Sequence, residues 1–283
     1  MSETYQIVAA RNARFEVTID LKRCLLTLED RSLGVRWKTD APFLRLRVSD
    51  VPDREAPDWF WGYPDPSEDV VWNRDQVAAT ASDGRIRISV SSVVVSGAAV
   101  DIEMSIVLED DRVRFEVRGL PHMSELIVDF PHRLGALDPG EDGGLILPRG
   151  AGIFADPSPK RGSHVIENFV YSGGQNGYSM PLFGTVSGDN VLGAIIKTPY
   201  DCLLRGEKNA GEPKAYAVSP CWLFDGGRLM DARRVDYTGF NGDHVELSKW
   251  YRGDLIADGR YKTPTENVVA MYETTHRYGH YMS

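Results

Sequence analysis

The sequence predicts an all-β fold, a large antiparallel β-sandwich with one C-terminal helix. Three observations predict it. Apolar and polar residues alternate strictly through much of the first half, the period of strands that bury one face. The breaks between these runs are short and turn-like, which is how antiparallel neighbours are joined. Long-range helical periodicity is confined to Asp243–Asp258.

The elements follow in order. Phe15, Val17 and Ile19 share one face of an early strand, and Leu44, Leu46 and Val48 share one face of Phe43–Val48, opposite Arg45 and Arg47. The clearest stretch is 85–118. Ile86, Ile88 and Val90 alternate with Arg85, Arg87 and Ser89; Val100 to Leu108 alternate with Asp101, Glu103 and Ser105; Val113, Phe115 and Val117 alternate with four charged residues. Turns at Ser96-Gly97-Ala98 and Glu109-Asp110-Asp111 make this a meander. With one face apolar and the other wet, such a sheet must pack on a second layer. Further on, Glu125–Phe130 reads as a strand, and Phe183–Val186 and Asn190–Lys197 form a hairpin through Ser187-Gly188-Asp189. Ala232–Tyr237 is a further strand.

In the helical segment, Leu247, Trp250, Tyr251 and Leu255 fall on one face. Asp243 with Glu246 resembles a capping box, and Gly259 suits the position just past the end. Residues 265–275 can form a short last helix. These readings divide the chain into a sandwich body, 1–242, and a helix and tail, 243–283.

Composition bounds the function. The chain has 283 residues, with 32 Lys and Arg against 41 Asp and Glu, a formal charge of −9. That length suffices for a full core without disulfides or metals. An acidic chain with no dense Lys/Arg run is not expected to bind nucleic acid. A mean hydropathy of −0.30 and the lack of an apolar run of about 18 residues predict no spanning helix and no membrane partner. The polar start predicts no signal peptide. Three cysteines, Cys24, Cys202 and Cys221, at long spacings predict free thiols in a reducing cytoplasm.

Three of the six tryptophans fall within 59–72. The block Asp58-Trp59-Phe60-Trp61-Gly62-Tyr63-Pro64-Asp65 offers flat rings beside carboxylates. Sugars present C–H faces that stack on rings and hydroxyls that bond to carboxylates. Asp58, Trp59, Trp61, Tyr63 and Asp65 are therefore candidate ligand-binding residues for carbohydrate, with a lid over the core as the competing reading. The candidate acid–base residues are His122 and His132, which bracket a strand, with Glu125 or Asp129 as carboxylate partner. Asp156, Asp225 and Asp236 also lie beside strand-like runs. Glycine-rich segments such as Arg149-Gly150-Ala151-Gly152 lack the Gly-Lys-Ser/Thr ending of a phosphate loop and read as turns. No metal-binding spacing falls on an expected helix, because His276 and His280 lie in the tail, so no metal or cofactor is called for. Nucleophile-elbow, Walker and dinucleotide fingerprints are absent from the sequence.

A series of motifs carries a family resemblance. Phe130-Pro131-His132-Arg133-Leu134-Gly135 is followed by Glu141-Asp142-Gly143-Gly144-Leu145-Ile146-Leu147-Pro148-Arg149-Gly150-Ala151-Gly152. Then come Met180-Pro181-Leu182-Phe183-Gly184, Gly188–Ile196, and Tyr251-Arg252 running to Gly259. Over roughly 125–262 this order resembles the N-terminal β-domain of glycoside-hydrolase-like proteins related to the family 101 endo-α-N-acetylgalactosaminidases. The resemblance implies a galactose-mutarotase-like supersandwich, two large antiparallel sheets face to face. In such proteins a (β/α)8 barrel follows and holds the catalytic carboxylates. Here 283 − 259 = 24 residues follow Gly259, where a barrel needs about 200, so none of the family's catalytic residues has a counterpart.

The resulting expectation is a carbohydrate-associated sandwich domain, non-catalytic alone, that binds or positions glycan for a barrel. The alternative is a free-standing mutarotase- or epimerase-like enzyme using a His and a carboxylate. A third reading is a scaffold whose helix docks on a barrel or on a second copy.

Overall fold

The computed structural model describes residues 7–49, 67–118, 126–138, 141–148, 153–155, 164–170, 178–199, 202–208, 216–224 and 232–260. The chain opens with a four-stranded antiparallel meander: β1 (Ile7–Arg11), β2 (Phe15–Asp20), β3 (Leu25–Asp30) and β4 (Val35–Lys38). β5 (Arg45–Ser49) and β6 (Ser67–Asp69) follow, then a single 3-10 turn at Arg74–Gln76. β7 (Val77–Ser82), β8 (Arg85–Val95), β9 (Ala98–Leu108) and β10 (Val113–Arg118) form the meander that the alternation predicts. Next come β11 (Leu126–Asp129), β12 (Gly143–Leu147), β13 (Ile153–Ala155) and β14 (His164–Phe169). The expected hairpin is β15 (Leu182–Ser187) with β16 (Asn190–Ile196). β17 (Cys202–Lys208), β18 (Tyr216–Phe224), β19 (Arg233–Asn241) and the helix α1 (His244–Ala257) complete the described elements.

Pairing is antiparallel throughout the named strands. One sheet has nine strands in the order β13-β12-β15-β16-β19-β10-β9-β8-β7. A second has six, β14-β17-β18-β11-β5-β6. The nine-stranded sheet forms one layer, and the six- and four-stranded sheets face it across a shared core. A chain of edge-on aromatic contacts crosses that core: Phe43 with Phe130 (6.2 Å between ring centroids), Phe130 with Phe115 (5.7 Å), Phe115 with Tyr237 (5.3 Å) and Tyr237 with Phe183 (5.8 Å). The edge-to-face geometry suits the ring quadrupoles. The four-stranded sheet is also tied to β19, because Arg14 Nη2 donates to Asp30 Oδ2 (2.8 Å) and to the Gly239 carbonyl (2.9 Å). Among the described residues this is an all-β sandwich with one helix, as the alternation requires.

The helix is capped where the sequence places its ends. Asp243 accepts from the Val245 amide at 2.7 Å, and Gly259 takes the left-handed position at φ +67°. The Glu246 carboxylate, expected to fold back on the cap, instead accepts from Lys249 Nζ at 2.6 Å. On the predicted apolar face Leu247 is fully buried, while Trp250, Tyr251 and Leu255 are half-buried. Leu247 sits on the outer face of the nine-stranded sheet, held between Gly184 and Gly193. A Cβ on Gly193 would lie 2.7 Å from Leu247 Cδ1 and 2.9 Å from Phe240 Cε2. Gly193→Ala is therefore expected to cost about 1–3 kcal/mol by overpacking, read as a lower melting temperature. An unchanged melt would mean that the helix does not rest on these glycines.

Candidate functional site

Strand register collects charge on the outer face of the six-stranded sheet. Leu44, Leu46 and Val128 point into the core, so Arg45, Arg47 and Asp129 point away from it. Register sets Arg45 opposite Asp129, Asp69 opposite Arg47, and places Arg205 and Glu207 on the same face of β17. Alternation of Arg45 and Arg47 with leucines would suit a solvent-facing row. Instead Arg47 and Asp129 are 0% exposed, Arg133 2% and Glu207 7%.

Such charges remain buried only if each meets its opposite. Arg47 Nη2 donates to Asp129 Oδ1 at 2.9 Å. Arg133 grips Asp40 with two bonds of 2.7 Å and donates through Nη1 to Glu207 Oε2 at 2.8 Å. Arg205 Nε also donates to Glu207, and Arg45 Nη1 does so at 3.1 Å. Arg45 then reaches outward to Asp69, 2.7 Å from Nε to Oδ1. Arg133 itself stands at φ +57°, with its amide donating to Ser219 Oγ at 2.9 Å. A bulky residue rarely adopts that conformation, and these four bonds hold it here. The network thus runs from a dry interior at Glu207 to an exposed rim at Asp69.

That rim is one wall of a groove of about 440 Å³, within the range of small-molecule sites. Trp72, Val70 and Val71 supply its apolar surface over the buried Leu44 and Leu46, and Arg45, Asp69, Arg23, Arg74 and His132 its polar groups. Trp72 is half-buried and packs on the core, while Asp69, Arg23 and Arg74 are largely exposed. The segment carrying Trp72 is pinned. The Asn73 amide donates to Gln76 Oε1 at 2.7 Å, and Gln76 Nε2 donates to the Ser91 and Ser92 carbonyls on the β8 bulge at 3.0 and 2.8 Å. The ring is therefore held by a rigid element and not by a free loop.

Protonation states follow from these neighbours. Burial by itself would raise the Glu207 carboxyl, but the Arg205 and Arg133 guanidinia outweigh it and hold the pKa down to about 2. Burial lowers His132, against the upward pull of Asp129 and Glu207. His132 Nδ1 lies 3.0 Å from the Pro42 carbonyl, which can only accept, so Nδ1 carries the proton and Nε2 is left with a lone pair. Among the described residues that Nε2, 4.0 Å from Glu207 Oε2, has no hydrogen-bond partner, and neither does Asp129 Oδ2. Cys24 lines the groove as a thiol, pushed up by burial and by Asp20. All three cysteines are buried and in no disulfide among the described residues. Among the described residues no group of His, Cys, Asp and Glu could hold a metal ion, and no helix is long and apolar enough to cross a membrane.

Of the residues expected from sequence, His132 and Asp129 come together in this region. Asp58, Trp59, Trp61, Tyr63, Asp65, His122 and Glu125 lie outside the described residues, as do Asp156 and Asp225 and the short helix expected at 265–275. Asp236 instead accepts from Arg112 and Arg114 beneath α1, at 3.2 and 3.0 Å. The sequence reading missed Arg47, Arg133, Glu207 and Trp72. Trp72 carried a signal, as the third ring of the tryptophan crowd.

No protein-family model and no curated protein matches the chain. Solved structures do. The α-N-acetylgalactosaminidase NagBb from Bifidobacterium bifidum, in its GalNAc complex, aligns with a TM-score of 0.69 at 19% identity over 93% of this chain and 41% of that one. Its ligand-free form aligns at 0.67 and 19%, over 93% and 40%. The chain therefore spans well under half the length of the enzyme it matches. At this identity the likeness is one of fold, and it is the sandwich fold that the motif order from Phe130 to Gly259 implies.

Proposed function

We propose that this chain is a carbohydrate-associated β-sandwich domain of a glycoside-hydrolase-like protein, non-catalytic alone, that holds glycan for a (β/α)8 barrel. In this reading the sandwich body is 1–242, with a C-terminal helix and tail at 243–283 packing on or leaving it, and the protein works in the cytoplasm. The observation that carries it is the Trp72 groove. A half-buried indole on a pinned segment offers a face for sugar C–H groups, and Asp69 and Arg45, fixed by each other, offer an acceptor and donors to hydroxyls. The shared fold of NagBb, whose structure is of a GalNAc complex, favours GalNAc-containing glycans as the class to try first.

The test is calorimetric titration of the 283-residue chain with GalNAc and GalNAc-terminated oligosaccharides. Saturable binding is expected, weakened at least about tenfold in Trp72→Ala, equivalent to about 1.4 kcal/mol. No binding, or binding indifferent to Trp72, overturns the reading.

One observation favours the mutarotase-like alternative: His132 and Asp69 line the same groove. The chemistry weighs against it. A general acid must carry a proton to give, and His132 is held neutral with its proton directed at a carbonyl. Glu207, held at about 2, and Asp129, locked on Arg47, are both poorly placed as bases.

A further inference from the structure

The other layer of the sandwich carries a second groove that shares no residue with the first. It lies on the outer face of the nine-stranded sheet, has a volume of about 750 Å³, and is lined from β7, β8, β9, β10 and β19. Register builds it row by row. One row runs Ala78, Ser89, Glu103, Arg118; the next runs Thr80, Arg87, Ser105, Glu116, Arg234. The third carries Arg85 and Arg114. Ala78, Thr80, Ser89 and Ser105 thus leave low points in the floor, interleaved with Glu103 and Glu116 and with arginines from each of the three rows.

The charges do not cancel. Arg234 pairs with Glu116 at 2.9 Å, and Arg114 with Asp236 at 3.0 Å. Arg85, Arg87 and Arg118 are exposed and make no ion pair or side-chain hydrogen bond among the described residues, against the single exposed carboxylate of Glu103 in the lining. This cationic surplus stands on a chain whose net charge is −9. Arg87 and Arg118 are two strands and one row apart, a Cα separation of about 12 Å at strand spacing and rise, with Ser105 and Glu103 at the positions between them. A guanidinium fork is the side chain best matched to a carboxylate or sulfate.

We propose that this groove binds oligosaccharides bearing carboxylate or sulfate groups. The inference rests on the carbohydrate class proposed above but not on the Trp72 groove. The occupant follows from charge complementarity and from the shape of the floor. The lining holds no aromatic residue, and its large apolar members, Ile88 and Met104, are buried. Neutral sugars therefore find nothing to stack on, and a protein partner lacks the apolar anchors that such interfaces need. A ring-thick chain with regularly spaced negative groups fits the low points of the floor and the arginines of the three rows.

The test is titration of the full chain with a heparin-derived sulfated hexasaccharide, its desulfated counterpart and a poly-glutamate peptide of similar charge. The sulfated chain is expected to bind at least about tenfold more tightly than either, and to weaken as salt rises from about 0.05 to 0.5 M. Arg85→Ser/Arg87→Ser/Arg118→Ser should lose that preference. The charge reversal Arg87→Glu should lose most of it, and both variants should keep the wild-type melt because all three side chains are exposed. Trp72→Ala should leave it intact. Equal binding of poly-glutamate would assign the groove to acidic protein segments and overturn the proposal, as would no binding, or binding unchanged in both arginine variants. Sulfated binding without GalNAc binding would sink only the Trp72 reading; the converse would sink only this one.

Discussion

Asp129→Ala should destabilise the protein by about 3–5 kcal/mol, because it takes from the fully buried Arg47 guanidinium the buried carboxylate it donates to. For a domain of this size that corresponds to a fall in melting temperature of roughly 10 °C. The pair itself need not be stabilising. Desolvating two charges offsets most of their attraction, so a packed apolar replacement can be neutral or better. The double variant Arg47→Met/Asp129→Leu is therefore expected to recover most of the loss, with a coupling energy of a few kcal/mol across the cycle. If Asp129→Ala melts within about 2 °C of wild type, the cluster is hydrated and not the dry network described above.

The fold was legible wherever the governing physics is local. The meander from Arg85 to Arg118 follows from alternation and two short turns, and its three strands form where expected. The helix follows from a cap residue, a face and a terminal glycine, and its bounds differ from the expected ones by one residue at each end. Which face of each strand would be covered was not legible. Arg45 and Arg47 alternate with leucines just as a solvent-facing pair would. The partners that make their burial tolerable are 162 residues away for Arg45 and Glu207, and 82 for Arg47 and Asp129. Nothing in a window of a dozen residues distinguishes the two cases.

The candidate site divides in the same way. His132 and Asp129 drew notice because a histidine and a carboxylate flank one strand, and the structure sets both beside the charged network. The roles of the two could not be read from spacing. They depend on a carbonyl from Pro42 and a guanidinium from Arg47, which arrive through tertiary packing. Trp72 drew notice only as one of a crowd. What gives it meaning is Gln76, which ties its segment to the β8 bulge. The basic groove on the nine-stranded sheet is the opposite case. Arg85, Arg87 and Arg118 were visible as the polar positions of predicted strands, and simple register brings them together.

Glu207 makes the strongest claim on pH. Its carboxyl is held at about 2 in the folded chain against about 4.3 when unfolded, so the folded state favours the ionised form. The stabilisation is complete above about pH 5 and is lost as pH falls through 4 toward 2. Its size is on the order of 3 kcal/mol, which discounts nothing for relaxation of the cluster. Glu207→Gln removes the titrating group and leaves Arg133, Arg205 and Arg45 without their shared anion. At pH 7 the variant should therefore be less stable by a few kcal/mol, measured by urea unfolding. As pH is lowered, the wild type should lose stability faster than the variant, and the two should converge near pH 2–3. Other carboxylates titrate equally in both proteins and cancel in the difference. A gap that stays constant from pH 7 to 3 would mean that Glu207 holds the arginines by shape and hydrogen bonding, with its charge contributing nothing measurable.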